Sequence, residues 1–112
     1  MPFAPRQRLI ALLARHDLRF VASGHAHQAR RIEVGGVEHR WVPSSSFCIP
    51  VAMQERVGAK EVGVVRLELG EERHRFEAVQ PQGLRRLNLL DYPRLYPGIA
   101  ELKAKLGDGA AL

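Results

Sequence analysis

Residues 20–27 read FVASGHAH, and they decide how the rest of the chain is interpreted. The first four are apolar or small, as in a short strand, and Gly24 then precedes two histidines, His25 and His27. Residues two apart on an extended backbone face the same way, and a glycine permits a sharp exit from a strand where a Cβ would clash. We therefore predict a strand that ends in a two-histidine loop.

The two histidines are candidate metal ligands. Neutral imidazole is the commonest ligand that proteins offer to transition metals, and His25 and His27 could reach one metal cluster together. The spacing alone leaves a second interpretation open, in which both are surface histidines of a polar loop.

The segment before the loop predicts a helix and a strand. Residues 6–15 place leucine and isoleucine side chains on one side of a helix and arginines elsewhere. His16 follows near the end of this helix, where a histidine interacts favourably with the helix dipole. Residues 18–23 then predict a short buried strand. A helix, an apolar strand and a polar loop in this order are typical of an α/β layer.

The segment after the loop predicts antiparallel strands. Residues 31–34 and 37–42 alternate polar and apolar side chains on either side of two consecutive glycines, which indicates a β-hairpin. Residues 61–69 and 73–79 alternate about a second turn. We expect these strands to form one sheet with a buried face and a wet face.

The C-terminal part predicts a tail. Residues 81–83, Pro-Gln-Gly, mark a linker, and the prolines beyond it prevent one long helix. Residues 99–106 predict a final short helix that Gly107 stops. The expected fold class is α+β, with one helix, a mainly antiparallel sheet and a C-terminal helical tail over residues 81–112.

Length and composition limit the class of protein. The chain has 112 residues, 46% of them hydrophobic, which fits one domain with a modest core. It contains no apolar stretch near the roughly 20 residues of a membrane span, and its start lacks the pattern of a secretory signal. Cys48 is the only cysteine, so we predict no internal disulfide, a buried apolar role for Cys48 and a cytoplasmic location.

The net charge of +5, from 17 basic and 12 acidic residues, favours anionic partners such as phosphates. The arginine pairs are separate and have no interleaved aromatics, so a dedicated nucleic-acid surface is not predicted. Salt-dependent nucleic-acid binding remains a third alternative. Arg30 lies just beyond the two histidines and is the candidate for contacting a substrate phosphate.

The order of helix, strand, GHAH (residues 24–27) and glycine-turned hairpin resembles the C-terminal part of calcineurin-like metallophosphoesterases. In that family a strand ends in a GH-x-H motif, and a hairpin and a serine-bearing turn follow it. Residues 42–47, VPSSSF, stand at that turn, and residues 37–47 look like the branch related to cyclic-nucleotide phosphodiesterases. The resemblance makes residues 1–80 the C-terminal part of a four-layer α/β/β/α metallophosphoesterase domain.

The resemblance implies a chemistry. His25 and His27 would each bind a different ion of a pair of divalent metals, which in this family are Mn, Fe or Zn. A hydroxide that bridges the two ions would attack the phosphorus of a phosphoester or phosphodiester substrate. No membrane partner is expected.

The chain also departs from the family. The Asp-x-His, Gly-Asp and Gly-Asn-His motifs that supply most ligands do not occur, and the serine turn lacks the usual Asn-Pro-Gly-Ser. A catalytic zinc needs about three protein ligands and a water, whereas this chain offers two imidazoles. We therefore expect the C-terminal segment of a larger hydrolase with half of a metal site, and leave open whether it is active alone.

The main alternative is a non-catalytic interaction module or truncated remnant that self-associates, because an uncovered sheet edge and apolar face favour association. The remaining polar residues have structural interpretations. We expect His39 to be packed or interfacial on the face that it shares with Val37 and Trp41, and His74 to be solvated. The serines of the turn are expected to make turn hydrogen bonds or to bind phosphate.

Overall fold

The computed structural model describes residues 3–107 and 111–112. The fold is α+β, with an N-terminal helix, small mixed and antiparallel sheets and a C-terminal helix. Helix α1 covers Phe3–Leu13, so it begins and ends earlier than predicted. Pro5 lies in its first turn, where the missing N–H costs no hydrogen bond. Helix α1 buries no residue, and Leu9, Ile10 and Leu12 are 44%, 46% and 55% exposed.

Three strands form the first sheet, in the order β1-β3-β2. They are β1 (Phe20–Ser23), β2 (Arg30–Val34) and β3 (Val37–Trp41). Strand β3 is antiparallel to β2 and parallel to β1. The predicted hairpin is confirmed, because Gly35 and Gly36 join β2 to β3 with φ angles of 59° and 79°, as a tight two-residue turn requires.

Strand β1 differs from the buried strand predicted over residues 18–23. It begins at Phe20, and only Phe20 and Val21 are half-buried, whereas Ala22 and Ser23 are exposed. The physical reason is its position, because β1 is an edge strand that pairs with β3 alone, and the helix before it buries none of its own residues.

The prediction of one antiparallel sheet is wrong. Strands β5 (Val64–Leu69) and β6 (His74–Val79) form a separate antiparallel hairpin, and β4 (Phe47–Cys48) pairs in parallel with β7 (Leu87–Asn88). In the described chain between β3 and β5, the β-pairings outside β4 are isolated bridges, those of Ser44 with Val62 and of Ala59 with Ala29. Prolines in that segment lack the N–H that a continuous ladder needs.

The β5–β6 hairpin packs on one face of the first sheet through aromatic and charged side chains. The Phe76 ring meets the Phe20 ring edge-on, with centroids 5.1 Å apart. The Arg40 guanidinium lies over the same Phe76 ring at 5.3 Å. This packing uses the face of β3 that carries Arg40, and it leaves the face of His39 and Trp41 away from the hairpin.

The core is small and joins the middle of the chain to its C-terminal part. Its buried apolar side chains are Cys48, Val62, Leu90 and Ile99. Helix α2 covers Ile99–Leu106 and ends at Gly107, as predicted. Among the described residues no helix has the length and apolar character to cross a membrane. The buried Cys48 also confirms the apolar role expected for the single cysteine.

Candidate metal centre

The two-histidine loop leaves strand β1 in a strained conformation. His25 and His27 both have positive φ, at 69° and 51°, in the left-handed region. Residues with a Cβ rarely adopt this region, and where they do the strain often accompanies a functional site. The extended backbone expected for residues 25–27 is therefore not observed, so the rule that alternate residues share a face does not apply here.

Gly24 does not have the role predicted for it. Its φ is not in the positive range, and a Cβ built at this position would meet no described atom within 4 Å. The clash that glycine was expected to avoid is absent. The bend comes instead from the two histidines, and a hydrogen bond of 2.8 Å from the Ala26 N–H to the Gly24 carbonyl closes it.

The His27 ring is fixed by a hydrogen bond and by packing. Its Nδ1 lies 2.9 Å from the carbonyl oxygen of Phe47, and the two rings have centroids 4.6 Å apart. A carbonyl oxygen can only accept, so Nδ1 carries the proton. In neutral imidazole Nε2 is then the atom with a lone pair, and within the described residues no hydrogen bond involves it.

His25 is exposed and makes no hydrogen bond to another described residue. Its imidazole is open to solvent, whereas that of His27 is half-buried. One member of the pair is thus held in place by the fold and the other is not. No group of three or more His, Cys, Asp or Glu residues suited to a metal ion occurs in residues 3–107 and 111–112.

Arg30 begins strand β2 and is exposed. Its guanidinium lies over the ring of its cross-strand partner Trp41, 5.8 Å from the ring centroid. It has no ion-pair partner in the described chain. A cation–π contact of this kind leaves the donor groups available to an anion.

The serine turn is held by its own hydroxyl. Ser44 Oγ accepts hydrogen bonds from the N–H groups of Ser46 and Phe47, at 3.1 and 3.4 Å. This confirms turn hydrogen bonding for Ser44. The bonds also set the position of Phe47, the residue that holds His27.

Gln28 anchors the end of the histidine loop, a role that the sequence analysis does not predict. Its side chain is fully buried. Its Oε1 accepts from the N–H groups of Val57 and Gly58, at 2.8 and 2.9 Å. Its Nε2 donates to Gln54 Oε1 and to the Glu55 carbonyl, at 2.7 and 2.9 Å. A glutamine in a polar loop has no pattern that marks it as buried.

Lys60 is a second buried polar residue near the same loop. Its Nζ donates to the Ile49 carbonyl at 2.5 Å and to Gln54 Oε1 at 3.4 Å. Burial lowers the pKa of Lys60; the neighbouring Cys48 opposes this shift and the charge of Arg56 adds to it. Gln54 therefore links Lys60 to Gln28 in one polar network beneath the loop.

A charged cluster on the sheet corrects the prediction for His74. Its side chain is 14% exposed and not solvated, with Nε2 3.2 Å from Glu38 Oε2. Arg31 and Arg40 reach Glu38 Oε1 at 3.1 and 2.9 Å. Burial acts to raise the pKa of Glu38, but the hydrogen bonds of His74 and Arg31 and the charges of Arg31 and Arg40 outweigh it and lower that pKa.

His39 lies on the opposite face of β3 from this cluster. Its ring stacks on Trp41 with centroids 6.5 Å apart, which agrees with the packed histidine predicted.

Comparison of the chain with protein-family models, with curated proteins and with solved structures found no match.

Proposed function

We propose that this chain carries the GHxH half of the dinuclear site of a metal-dependent phosphoesterase. In this proposal the chain is the C-terminal part of a four-layer α/β/β/α metallophosphoesterase domain, and His25 and His27 are ligands of two divalent ions of Mn, Fe or Zn type. The enzyme is a hydrolase of phosphoesters or phosphodiesters, placed in the cytoplasm.

The observation that carries the proposal is the hydrogen bond of His27. Metal-binding histidines almost always donate their second ring N–H to a carboxylate, a carbonyl or a water, which fixes the ring and leaves the other nitrogen for the metal. The Phe47 carbonyl does this for Nδ1 of His27. The strained backbone at both histidines supports the same interpretation, because strain of this kind clusters at functional sites.

In this proposal the two imidazoles supply part of a metal site. Each would provide one nitrogen, and the carboxylate ligands that a metal pair needs would come from other residues, since the described part of the chain groups no third ligand with them. When bound, such a metal pair supplies positive charge at the phosphoryl oxygens and an activated water. Arg30, held over Trp41, would contact the phosphate.

Zinc titration of the full chain by calorimetry tests this proposal. We expect weak binding of one ion, because the described residues supply only the two candidate ligands His25 and His27. His27→Ala should weaken binding by about tenfold or more, since even an outer-shell partner of a metal ligand contributes that much. His16→Ala, which removes an exposed histidine beyond α1, is the matched control and should change nothing. Equal affinity in the native chain and in a His25→Ala/His27→Ala double variant would refute the metal site.

Hydrolysis of bis(4-nitrophenyl) phosphate with added Mn²⁺ is the second measurement. Any activity of the chain should fall in His27→Ala and not in His16→Ala. Activity that survives His27→Ala would show that another group is responsible.

A second candidate function, self-association, is favoured by helix α1. Its residues Leu9, Ile10 and Leu12 are about half exposed, and the helix buries no residue. Large exposed apolar surfaces often mark interaction sites. Sedimentation velocity should then show a dimer of the native chain that Leu12→Glu dissociates. Leu69→Glu, which places the same charge on an exposed leucine of β5, is the control. A monomer at all concentrations would remove this candidate.

A further inference from the structure

A small apolar cleft lies beside Phe47. It is lined by Ser46, Phe47, Leu87, Leu89, Tyr92, Leu95 and Tyr96, and its volume is about 100 Å³. Its walls come from two segments of the chain, and the parallel pairing of β4 with β7 sets Phe47 opposite Leu87. The cleft is therefore built by the same contact that attaches the C-terminal part to the rest of the fold.

Aromatic rings form one side of the cleft. Phe47 and Tyr96 meet edge-on, with ring centroids 5.9 Å apart. Tyr96 is 42% exposed and Leu95 is 70% exposed, so neither serves the core. The hydroxyls of Tyr92 and Tyr96 have no hydrogen-bond partner among the described residues. The lining residues are mainly apolar and also include side chains that carry hydroxyl groups, as in sites for small organic ligands.

The size of the cleft limits its occupant. An apolar cavity of roughly 150 Å³ holds one benzene ring. A cleft of about 100 Å³ that is open on one side therefore suits a single ring, and it is too small for two fused or linked rings within its walls. Aromatic walls also favour a ring over an alkyl chain, through edge-to-face contacts.

Phe47 connects this cleft to the candidate metal ligand. Its carbonyl accepts from His27 Nδ1, and its ring lies 4.6 Å from the His27 ring and also lines the cleft. Phe47 thus belongs both to the lining of the cleft and to the contact that fixes His27. We propose that the cleft of residues 46–47 and 87–96 is the subsite for a single aromatic ring on the phosphoester, so that aryl phosphoesters are the preferred substrate class. This inference rests on the proposed function of His25 and His27.

Binding of phenol, phenyl phosphate and methyl phosphate to the full chain, followed by ¹H–¹⁵N NMR, tests the subsite. In metal-free protein, phenol and phenyl phosphate should shift the amide signals of Ser46, Leu87 and Leu89, and methyl phosphate should not. Tyr96→Ser should raise the Kd for phenol by about threefold or more, because an apolar wall is lost. Leu95→Ser, at a more exposed position, should act in the same direction.

Leu69→Ser is the matched control, since Leu69 is exposed at the far end of β5 and lines no part of this cleft. Its affinity for phenol should equal that of the native chain. Amide spectra of each variant establish that it is folded. Absence of phenol binding, or binding that Tyr96→Ser and Leu95→Ser leave unchanged, would overturn the subsite.

Zinc separates failure of the subsite from failure of the proposed function. With Zn²⁺ present, phenyl phosphate should bind more tightly than phenol. His27→Ala should remove this difference in affinity without weakening the binding of phenol. If phenol binds in the cleft but Zn²⁺ does not tighten the binding of phenyl phosphate, both the metal site and the assignment of the cleft to a substrate would be overturned. With Zn²⁺ bound, an affinity for methyl phosphate equal to that for phenyl phosphate would keep the metal site and overturn the subsite alone.

Discussion

The histidine loop depends on residues that lie below it. Gln28 makes four hydrogen bonds to residues 54–58, three of them to backbone groups, and the Phe47 carbonyl fixes His27. A buried amide with all its partners satisfied stabilises one arrangement of its neighbours, whereas the loss of a partner leaves unpaired groups. Ordering of the loop thus depends on a fully buried side chain, that of Gln28, and on the backbone carbonyl of Phe47.

The two glycines near this loop should respond in opposite ways to the same substitution. Gly58→Ala places a Cβ 2.4 Å from the Ala29 carbonyl oxygen, and we expect it to lower the free energy of unfolding by about 1–3 kcal/mol. Gly24→Ala meets no atom within 4 Å, and it should leave stability unchanged or raise it by up to about 1 kcal/mol. Urea denaturation of both variants measures this, and equal effects would contradict the close approach at Gly58.

Gln28→Leu should also destabilise the chain. It removes an acceptor of two backbone N–H groups, and an unsatisfied buried group costs about 1–3 kcal/mol. Gln82→Leu, at an exposed turn position, is the control in the same urea experiment. A Gln28→Leu chain as stable as Gln82→Leu would show that the buried network contributes nothing.

Glu38 should make the free energy of unfolding fall at acid pH. Its pKa is lowered in the folded chain, so the unfolded state binds a proton more readily than the folded state does. The stabilisation is present above the ordinary carboxyl pKa of 4.5 and is lost as the pH falls through the lower folded value. Unfolding measured below pH 5 should show less pH dependence in Glu38→Gln than in Glu33→Gln, an exposed β2 residue.

At the scale of elements, the β2–β3 hairpin is the best specified part of the chain. Gly35 and Gly36 both have positive φ, and the turn holds Glu38 and Arg31 in position on one face. Asparagine tolerates this conformation better than other residues with a Cβ do. Turn chemistry at two positions therefore determines the register of the charged cluster.

Gly35→Val should lower the free energy of unfolding by about 1–2 kcal/mol, because a branched residue resists the left-handed region. Gly35→Asn should cost less than Gly35→Val, and denaturant titration of the two variants gives the comparison. Equal costs would mean that the turn changes its conformation when the glycine is replaced.

The sequence predicts local elements well where a pattern and a turn agree. The hairpin of β2 and β3 and the helix at Ile99–Leu106 were both predicted close to their bounds. The pairing of β4 with β7 was not predicted, because each strand has only two residues and these are too few to show the alternation of side chains that marks a strand. The left-handed conformation of His25 and His27 was not predicted either, because histidine adopts positive φ more often than most residues do but still too rarely for a prediction.

At the scale of the whole molecule, the C-terminal part completes the core. Leu90 and Ile99 supply half of the buried apolar side chains of the described residues, and Arg86 Nε donates to the Lys60 carbonyl at 2.9 Å. The polar network that supports the histidine loop therefore also contacts the segment beyond residue 81.

Leu90→Ala should lower the free energy of unfolding by about 2–5 kcal/mol, because it leaves a cavity in a fully buried position. Leu95→Ala, which is 70% exposed, should change stability little. Thermal unfolding by circular dichroism measures both. A small effect of Leu90→Ala would mean that the C-terminal part does not unfold together with the rest.

The placement of β3 between β1 and β2 has a consequence for engineering. Residues 24–29 must cross from one edge of the sheet to the other, a gap of about 10 Å at the usual strand spacing, while six residues can span roughly 20 Å. The connection is longer than the gap that it spans, and the strands at its two ends each pair with the middle strand and not with one another. Residues inserted next to the exposed His25 should therefore lengthen the loop without shifting any strand alignment.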